Sequence, residues 1–593
     1  MPIALRQFPQ WLRARDYRRI LSAPINNINR FRSDMNEKNR TFKAHPKRQW
    51  DETQREVNFR GQKKKSKTIK KSGVDEVLLH DVLSLLKAQK LEDDNKLLNL
   101  PKPFTEIEVM VKEISSTGDG VAIHSESKRI YVVPFCVPGD VIKAKVIKHY
   151  KEENYSTADF VSVVTPGPLR DDSLIKCKYF GTCSGCQFQM LDYDAQLEHK
   201  KKVIERAYKY FSKLPHHLIP FIGDTIGSPL RYEYRTKLTP HFNAPKGYIS
   251  KADKMKGVKN HFQETPSIGF NAKGANYTLD IEDCPIGTSA VRMGMKRERL
   301  RVAENLDKYT KGATILLRES TLRLPNNETN LATTIPDTIK TVDSDFIDFK
   351  SCVTDNRAKT TEYVDKYVFT NIANEFFQNN NSILPRFTSY IREHILPQAT
   401  TGKKIKYLID AYSGSGLFTI TLSSIFKSSL GIDISAASIN SAEENARQNN
   451  LAPSKARFMA ADASQLFKEI DFDPDETVVL IDPSRKGCDE SFISQLLKYA
   501  PRRIVYVSCN VHTQARDVGM IINGLAALGD NKGSDTQYTI ESIVGFDFFP
   551  QTGHVESVAI LDRVRSQESN SAEFLDICKK NDAKSESKNS PSL

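Results

Sequence analysis

The feature that most constrains the fold is the regular alternation of apolar runs and helical stretches in residues 401–565. The run Tyr407–Tyr412 leads directly into Ser413-Gly-Ser-Gly416, and Leu417–Phe426 is expected to be a helix. A buried strand, a glycine turn and a helix form the opening of a nucleotide-binding βαβ unit, because small residues let a ligand approach the backbone. The pattern therefore predicts a mostly parallel sheet covered by helices.

Six further strands are expected in the same region. They are Ser429–Asp433, Ala456–Ala460, Val478–Asp482, Arg503–Val507, Thr539–Phe546 and Val555–Leu561. The last two can pair as an antiparallel hairpin. Seven strands that end in a reversed pair match the class I methyltransferase sheet better than a dehydrogenase sheet, and the glycine turn lacks the full G-x-G-x-x-G pattern. The sequence thus favours a Rossmann-like domain that binds S-adenosylmethionine.

Reactive side chains fall at the predicted carboxyl ends of these strands, where doubly wound sheets bind ligands. Asp433 ends the second strand, where an acid can accept both hydroxyls of a ribose. Asp482 ends the fourth strand. Cys509 follows the fifth at a strand-to-helix turn, where the N-terminus of the next helix would favour a thiolate. A free cysteine is often a small buried hydrophobe, but the polar neighbours Ser508 and Asn510 argue against that interpretation.

A cysteine and a base are the groups that methylation of uracil at C5 requires. Addition of a thiolate to C6 makes C5 nucleophilic, and a base must afterwards remove the C5 proton. Glu556, at the start of the last predicted strand, is the candidate base, and His554 is the alternative. Glu556 could also be an ordinary surface carboxylate. Arg485 is a candidate contact to uracil oxygens or to a phosphate.

The spacing of three cysteines predicts a metal site in the middle of the chain. Cys177, Cys183 and Cys186 form a C-x5-C-x2-C loop that contains glycine, and Cys284 in Asp-Cys-Pro can supply a fourth ligand. Four thiolates suit a [4Fe–4S] cluster or structural zinc. Zinc ribbons usually pair two C-x2-C turns, and only one is present here, so we favour the iron–sulfur cluster.

Charge and composition limit the remaining possibilities. The net charge is +13, and residues 1–72 account for it with 20 Lys and Arg against 6 Asp and Glu. The lysines of residues 63–71 could contact RNA or act as a nuclear address, or simply be solvated. The arginine-rich residues 1–33 look like a mitochondrial presequence, although chance explains them nearly as well. No apolar run reaches the roughly 20 residues that cross a bilayer, so a soluble intracellular protein is expected.

Five regions are predicted along the chain. They are a basic, mostly disordered arm (residues 1–100), an OB-like five-stranded β-barrel (102–166), a mixed α+β central domain with the cysteines (167–400), the Rossmann-like class I methyltransferase domain (401–565) and a disordered tail (566–593). The fold class is therefore α/β with an added barrel. Long polar inserts interrupt the central region at residues 243–265 and 324–345. A monomer is expected.

From residue 102 to about residue 565 the chain resembles the RNA uracil-C5 methyltransferases. The patterns that carry the resemblance are Cys177 to Cys186 with Asp283-Cys-Pro285, Phe376-Phe-Gln378, Asp410-Ala-Tyr-Ser-Gly-Ser-Gly416, Asp482-Pro-Ser-Arg485, Ser508-Cys-Asn510 and His554-Val-Glu556. Six unrelated patterns in the order of the family make the resemblance specific. It implies a TRAM barrel, an iron–sulfur central domain and a Rossmann-like catalytic domain.

The resemblance also implies roles for individual residues. Contacts to S-adenosylmethionine are expected from Gln378, Tyr412, Asp433 and Asp482. Asp433 stands where many members carry the longer Glu. Cys509 is implied as the nucleophile and Glu556 as the base.

The substrate is less constrained than the chemistry, because no single residue reads the RNA. Fungal members with a basic arm and polar inserts methylate the T-loop uridine of tRNA, at position 54, and this substrate is favoured here. The open alternatives are a ribosomal RNA uridine-C5 methyltransferase and a non-catalytic RNA-binding or chaperone protein. The target base must leave its stack to reach Cys509.

Overall fold

The computed structural model of the chain describes residues 73–89, 100–247, 255–398, 403–461, 467, 470–524 and 537–564. Most of the predicted basic arm, part of the insert at 243–265 and the predicted tail at 566–593 lie outside these ranges. Within the arm, the stretch Val77–Leu86 has apolar residues at helical spacing, and it lies in the described helix Val74–Ala88. Among the described helices, none has the length and apolar character needed to cross a membrane.

Along the chain, the β-barrel comes first and the central region second. The large sheet of the predicted methyltransferase domain comes last and is called the catalytic sheet. The helices are α1 Val74–Ala88, α2 Tyr193–Phe211, α3 Ser289–Ala303, α4 Glu328–Ala332, α5 Leu384–His394, α6 Leu417–Thr421, α7 Ala436–Gln448, α8 Glu490–Tyr499 and α9 Val511–Asn523. Strands β1 to β5 are Glu106–Ile114, Gly120–Ile123, Ile130–Val133, Val141–Tyr150 and Tyr155–Thr165. Strands β6 to β14 are Gly223–Ile226, Lys237–Leu238, His241–Phe242, Ala313–Thr314, Leu317–Pro325, Ile339–Val342, Phe346–Val353, Lys359–Val364 and Tyr367–Ile372. Strands β15 to β21 are Tyr407–Ala411, Ser428–Asp433, Ala456–Ala460, Thr477–Ile481, Arg503–Ser508, Tyr538–Phe546 and Glu556–Arg563.

The catalytic sheet has eight strands in the order β17-β16-β15-β18-β19-β21-β20-β6. Strands β15 to β19 run parallel, and β21 is antiparallel to both β19 and β20. All seven strands expected from the sequence are present, including the reversed pair. The eighth, β6, comes from residues 223–226 and pairs parallel to β20. Four residues without a periodic pattern gave no sign of this pairing in the sequence.

Two predicted elements are shorter than expected. The helix after the glycine turn covers Leu417–Thr421 instead of Leu417–Phe426. The residues Tyr234–Thr239 have a pattern typical of a strand, but strand β7 covers only Lys237–Leu238 of them. In the second case, Arg235 and Thr236 bond to the Cys284–Thr288 and Asn379 segments instead of to one neighbouring strand. Tertiary partners thus override the local strand pattern.

The five-stranded barrel expected at residues 102–166 is present as a closed barrel of β1 to β5. Alternating residues of its strands fill the interior, among them Val109, Val111, Ile142, Ala144 and Val146. Helix α1 covers the outside through Val82, Leu85 and Leu86, which pack on the barrel residues Val121, Ile123, Ile130, Val132 and Tyr155.

The core of the catalytic sheet extends beyond the boundary predicted at residues 400 and 401. On one face it includes Val203, Ile204, Ala207 and Tyr208 of α2. On the other face it includes residues 364–395, from the β13–β14 hairpin and α5. The central region therefore contributes both to its own four-stranded sheet, β11-β12-β10-β7, and to the catalytic core. The domain limits themselves stay a prediction.

Candidate active site

The glycine turn after β15 is shaped by an acid at the end of the neighbouring strand. Asp433 accepts hydrogen bonds from the backbone of Gly414 (3.0 Å) and of Ser435 (2.8 Å). Tyr412, Gly414 and Gly416 all have positive φ angles of 65°, 53° and 89°, which favour glycine at the last two positions. The turn therefore keeps the backbone open beside the carboxylate, whose oxygens each retain a lone pair for a ligand.

A cavity of about 630 Å³ opens at the carboxyl ends of β15, β16 and β18. Its walls include Tyr412, Ile432, Asp433, Ser484, Cys488 and Met520. Two buried polar atoms nearby, Asp410 Oδ1 of β15 and Ser413 Oγ of the glycine turn, have no hydrogen-bond partner among the described residues. Polar atoms of this kind are usually satisfied by a ligand or by water. The size and the donor set of the cavity fit a nucleoside cofactor such as S-adenosylmethionine.

Cys509 lies in the turn between β19 and α9. Asn510 caps the helix by accepting from the His512 amide (3.3 Å), and its side chain donates to the Arg485 carbonyl oxygen (2.9 Å). Ser508 Oγ accepts from the Asn510 amide at 3.0 Å. These bonds tie the cysteine turn to the Asp-Pro-Ser-Arg segment that follows β18.

The register of strands β19 and β21 places Glu556 beside Cys509. In the antiparallel pair of β19 and β21, Ser508 is opposite Ser557. The next residue along β19 and the preceding residue of β21 are therefore Cys509 and Glu556. Glu556 is 2 % exposed, so it is not the surface carboxylate that its position at a strand start allows. The interpretation as a buried acid facing the thiol is the one that the structure supports.

Three charged side chains determine the electrostatics around the thiol. Burial, together with the carboxylates of Glu556 and Asp482, raises the pKa of Cys509 to about 12. Arg485 acts in the opposite direction, since it donates a hydrogen bond to the thiol and carries a positive charge. Burial and then the two carboxylates oppose the effect expected from the helix N-terminus, which was to favour a thiolate.

The two carboxyl groups beside the thiol, Glu556 and Asp482, both have raised pKa values. Burial raises the pKa of Glu556 to about 7, while Arg485 lowers it. Burial and the nearby Glu556 raise the pKa of Asp482 well above its ordinary value. A carboxylate with a pKa near neutrality can accept and release a proton during a reaction. The arrangement of thiol, base and guanidinium is therefore able to add a sulfur to a ring and then remove a proton.

The loop that leads into β21, residues 547–555, is called the base loop here because it ends next to Glu556. Its first residue, Asp547, forms a fully buried ion pair with Lys200 of α2. Lys200 also donates to the Phe549 carbonyl oxygen at 3.0 Å. Gln551 exchanges hydrogen bonds with Gln196 of α2. The sequence gave no sign of these residues, since a lysine on a helix is usually solvated.

The four residues that the resemblance connects with the cofactor are not all together. Tyr412 and Asp433 line the 630 Å³ cavity. Asp482 lies near Glu556, which together with burial raises its pKa, and near Cys509, whose pKa Asp482 raises. Gln378 is buried in the segment between β14 and α5 and does not line that cavity. Its contact with the cofactor stays a prediction.

The four candidate metal ligands surround a second cavity. Cys177, Cys183, Cys186 and Cys284 all line a cavity of about 330 Å³. All four are free thiols. Burial raises the pKa of each, and neighbouring thiols raise the pKa of Cys183, Cys186 and Cys284 further. Arg485 and His554 line the same cavity, which therefore adjoins the candidate site at Cys509 and Glu556.

The donors of this cavity fit an iron–sulfur cluster in kind. Such clusters are held by four cysteine thiolates, and the resemblance to the family implied the same four residues. However, the described residues contain no group of three or more His, Cys, Asp or Glu side chains that could hold a metal ion in the present arrangement. The residues supply the right chemistry, and their sulfurs would have to converge further around a metal.

Comparison with known proteins gives consistent matches. A family model described as tRNA (Uracil-5-)-methyltransferase matches residues 350–564. The tRNA (uracil(54)-C(5))-methyltransferase of Schizosaccharomyces pombe is 44% identical and aligns over 85% of this chain and 87% of its own length. The enzyme of the same name from Saccharomyces cerevisiae is 39% identical over 82% and 78%.

A solved structure is also similar over most of the chain. The crystal structure of Pyrococcus abyssi tRNA (uracil-54, C5)-methyltransferase in complex with S-adenosyl-L-homocysteine is 25% identical. It superposes with a TM-score of 0.51 and covers 77% of this chain and 100% of its own.

Proposed function

Since the chain belongs to the tRNA (uracil-5-)-methyltransferase family, we propose that it methylates C5 of uridine 54 in tRNA with S-adenosylmethionine as the donor. The main support for this proposal is the strand register, which sets Glu556 beside Cys509 at the edge of the sheet that holds the Asp433 cavity. A thiol and a buried base meet there, as C5 methylation of uracil requires.

The residues divide the reaction between them. Cys509 reacts as the thiolate, after its proton has been lost to solvent. Its sulfur bonds to C6 of the uracil, and the electron pair of the C5–C6 double bond moves into an enolate, which makes C5 nucleophilic. S-adenosylmethionine supplies the methyl group, which C5 takes as the sulfonium–methyl bond breaks. Glu556 then removes the C5 proton, the C5–C6 double bond re-forms and the sulfur leaves C6. Arg485, which donates to the thiol, stabilises the thiolate before it attacks C6 and again when it leaves C6.

Asp433 and Tyr412 are proposed to bind the donor. The carboxylate of Asp433 is held in place by two backbone amides, so its free lone pairs are oriented for ribose hydroxyls. Asp482 and Gln378 are proposed as the other two contacts. Burial and Glu556 raise the pKa of Asp482 well above its ordinary value, and the protonated form of this side chain can donate as well as accept a hydrogen bond.

Cys177, Cys183, Cys186 and Cys284 are proposed to hold a [4Fe–4S] cluster, with zinc as the alternative. The support is one cavity lined by all four thiols. Such a group would link the 177–186 loop covalently to residue 284. Anaerobic purification followed by iron, sulfide and zinc analysis distinguishes the two metals, and a protein with neither after reconstitution would rule out both.

The proposed substrate is tested with RNA made in vitro. Unmodified tRNA transcript should incorporate one labelled methyl group, recovered as 5-methyluridine at position 54. A transcript with uridine 54 replaced by cytidine is the matched control and should incorporate none. Methylation of ribosomal RNA fragments with no methylation of tRNA would overturn the tRNA assignment, and no methylation of either would overturn the enzymatic function.

A further inference from the structure

The residue after the third cysteine of the loop contacts two parts of the molecule that are far apart in sequence. The side-chain amide of Gln187 donates to the Thr117 carbonyl oxygen in the β1–β2 turn of the barrel (2.8 Å). Its oxygen accepts from the Gly553 backbone amide in the base loop (2.9 Å). One side chain thus joins the barrel to the segment that ends at Glu556.

The β1–β2 turn, the cysteine loop and the base loop pack so closely that they leave little room for a side chain at Gly118 or Gly553. A Cβ atom at Gly118 would lie 2.3 Å from the Gln187 amide nitrogen, and Gly118 has a φ of 85°. A Cβ atom at Gly553 would lie 3.2 Å from the Cα atom of Gly118. The backbone amides of Gln187 and Phe188 both donate to the Gln551 carbonyl oxygen. The contact is therefore a built junction and not a chance approach of surface side chains.

The base loop has separate supports at its two ends. Helix α2 holds its beginning through the Lys200–Asp547 ion pair and the Gln196–Gln551 bonds. Among the side chains of the described residues, Gln187 is the one that hydrogen-bonds the loop at Gly553, three residues before Glu556. A change at Gln187 should therefore move the end of the loop without loosening its beginning.

We propose that Gln187 is a positioning residue that fixes the base Glu556 with respect to the barrel. The inference rests on the proposed function, because it assigns Glu556 the removal of the C5 proton. Proton transfer depends steeply on the distance between base and carbon, and a displacement of about 1 Å can reduce a rate about a hundredfold. The attack by Cys509 does not use Gln187, since the cysteine turn is held by Asn510 and Ser508.

The test separates the two chemical steps. In tRNA that carries 5-fluorouridine at position 54, the fluorine cannot be removed as a proton, so the reaction stops at the covalent, methylated complex. Formation of that complex needs Cys509 and the donor but not the base. Turnover on ordinary tRNA needs all three. Comparing the two rates in one variant therefore reports on the base alone.

Gln187→Met keeps the length of the side chain and removes its donor and acceptor. We expect kcat on ordinary tRNA to fall about tenfold to a hundredfold, with KM for tRNA nearly unchanged, while the 5-fluorouridine complex forms at the parent rate. The covalent complex should also accumulate on ordinary tRNA, as in Glu556→Gln. Gln187→Glu keeps the acceptor for the Gly553 amide and should recover part of kcat.

The outcomes distinguish an error in the role of Gln187 from an error in the role of Glu556. Gln448→Met, an exposed glutamine on α7, is the matched control and should behave as the parent. If Gln187→Met slows complex formation and turnover equally, or slows neither, the positioning role is wrong. If Glu556→Gln forms the complex on 5-fluorouridine tRNA but fails to accumulate it on ordinary tRNA, the assignment of the base itself is wrong. The proposed function then fails independently of Gln187.

Discussion

The thiol of Cys509 and the thiols of the cysteine cavity are both buried, yet their surroundings differ. Cys509 has a guanidinium that donates to its sulfur and two carboxylates nearby. The pKa of Cys186 is raised by burial and then by the other three thiols. A thiol beside an arginine can be ionised briefly in a reaction. Four neighbouring thiolates would repel one another, so the four thiols ionise together only when a cation binds among them.

The comparison teaches that neighbours, not residue type, decide what a cysteine does. Arg485 belongs to both regions, because it donates to Cys509 and lines the cysteine cavity. The following changes separate the two regions, beginning with the largest expected effect on the chemistry.

Replacing Cys509 by Ala should eliminate turnover, a loss of at least about a thousandfold, because no other group can bond to C6. The 5-fluorouridine complex should also be absent from a denaturing gel. A variant that kept its fold, judged by circular dichroism, and still formed the complex would show that a different residue is the nucleophile.

Replacing Glu556 by Gln should lower kcat by about a hundredfold or more, in the range usual for loss of a general base. The parent enzyme should lose activity as the pH falls below about 7, because burial raises the pKa of Glu556 to about 7 and only the ionised form accepts a proton. A pH profile of kcat from 5 to 9 should show this limb in the parent and not in the variant. The same limb in both would assign it to another group.

Replacing Asp433 by Asn should weaken binding of the donor about tenfold to a hundredfold, the effect of losing hydrogen bonds to a charged acceptor. Calorimetric titration with S-adenosylhomocysteine measures it. Asp471→Asn, at an exposed carboxylate paired with Arg457, is the control. Equal affinities in Asp433→Asn and the parent would remove Asp433 from the donor site.

Replacing Cys284 by Ser should have the smallest effect on the chemistry and the clearest effect on the metal. The purified variant should lose iron and the visible absorption of an iron–sulfur cluster. The rate of 5-fluorouridine complex formation per folded molecule should stay within about threefold of the parent, because Cys509 does not depend on Cys284 for its contacts. A loss as large as that of Cys509→Ala in folded protein would abolish the distinction between the two regions.

The parallel sheet, its reversed hairpin and the barrel could be predicted because their strands carry strong apolar patterns. The acid at the end of β16 and the cysteine after β19 could be named for the same reason, since a strand end is visible in sequence. The short strand β6 and the length of α6 could not, because brief elements depend on their partners more than on their own residues.

Sequence alone thus predicted which residues carry the chemistry: Cys509, Glu556, Asp433 and the four cysteines. Tertiary structure alone decided that Glu556 is buried opposite Cys509, that Arg485 donates to the thiol, and that Lys200 and Gln187 support the base loop. The physical reason is that the type of a reactive group can be read at one position of the sequence. Its pKa and its orientation depend on strand register and on charges of residues that can be hundreds of positions away.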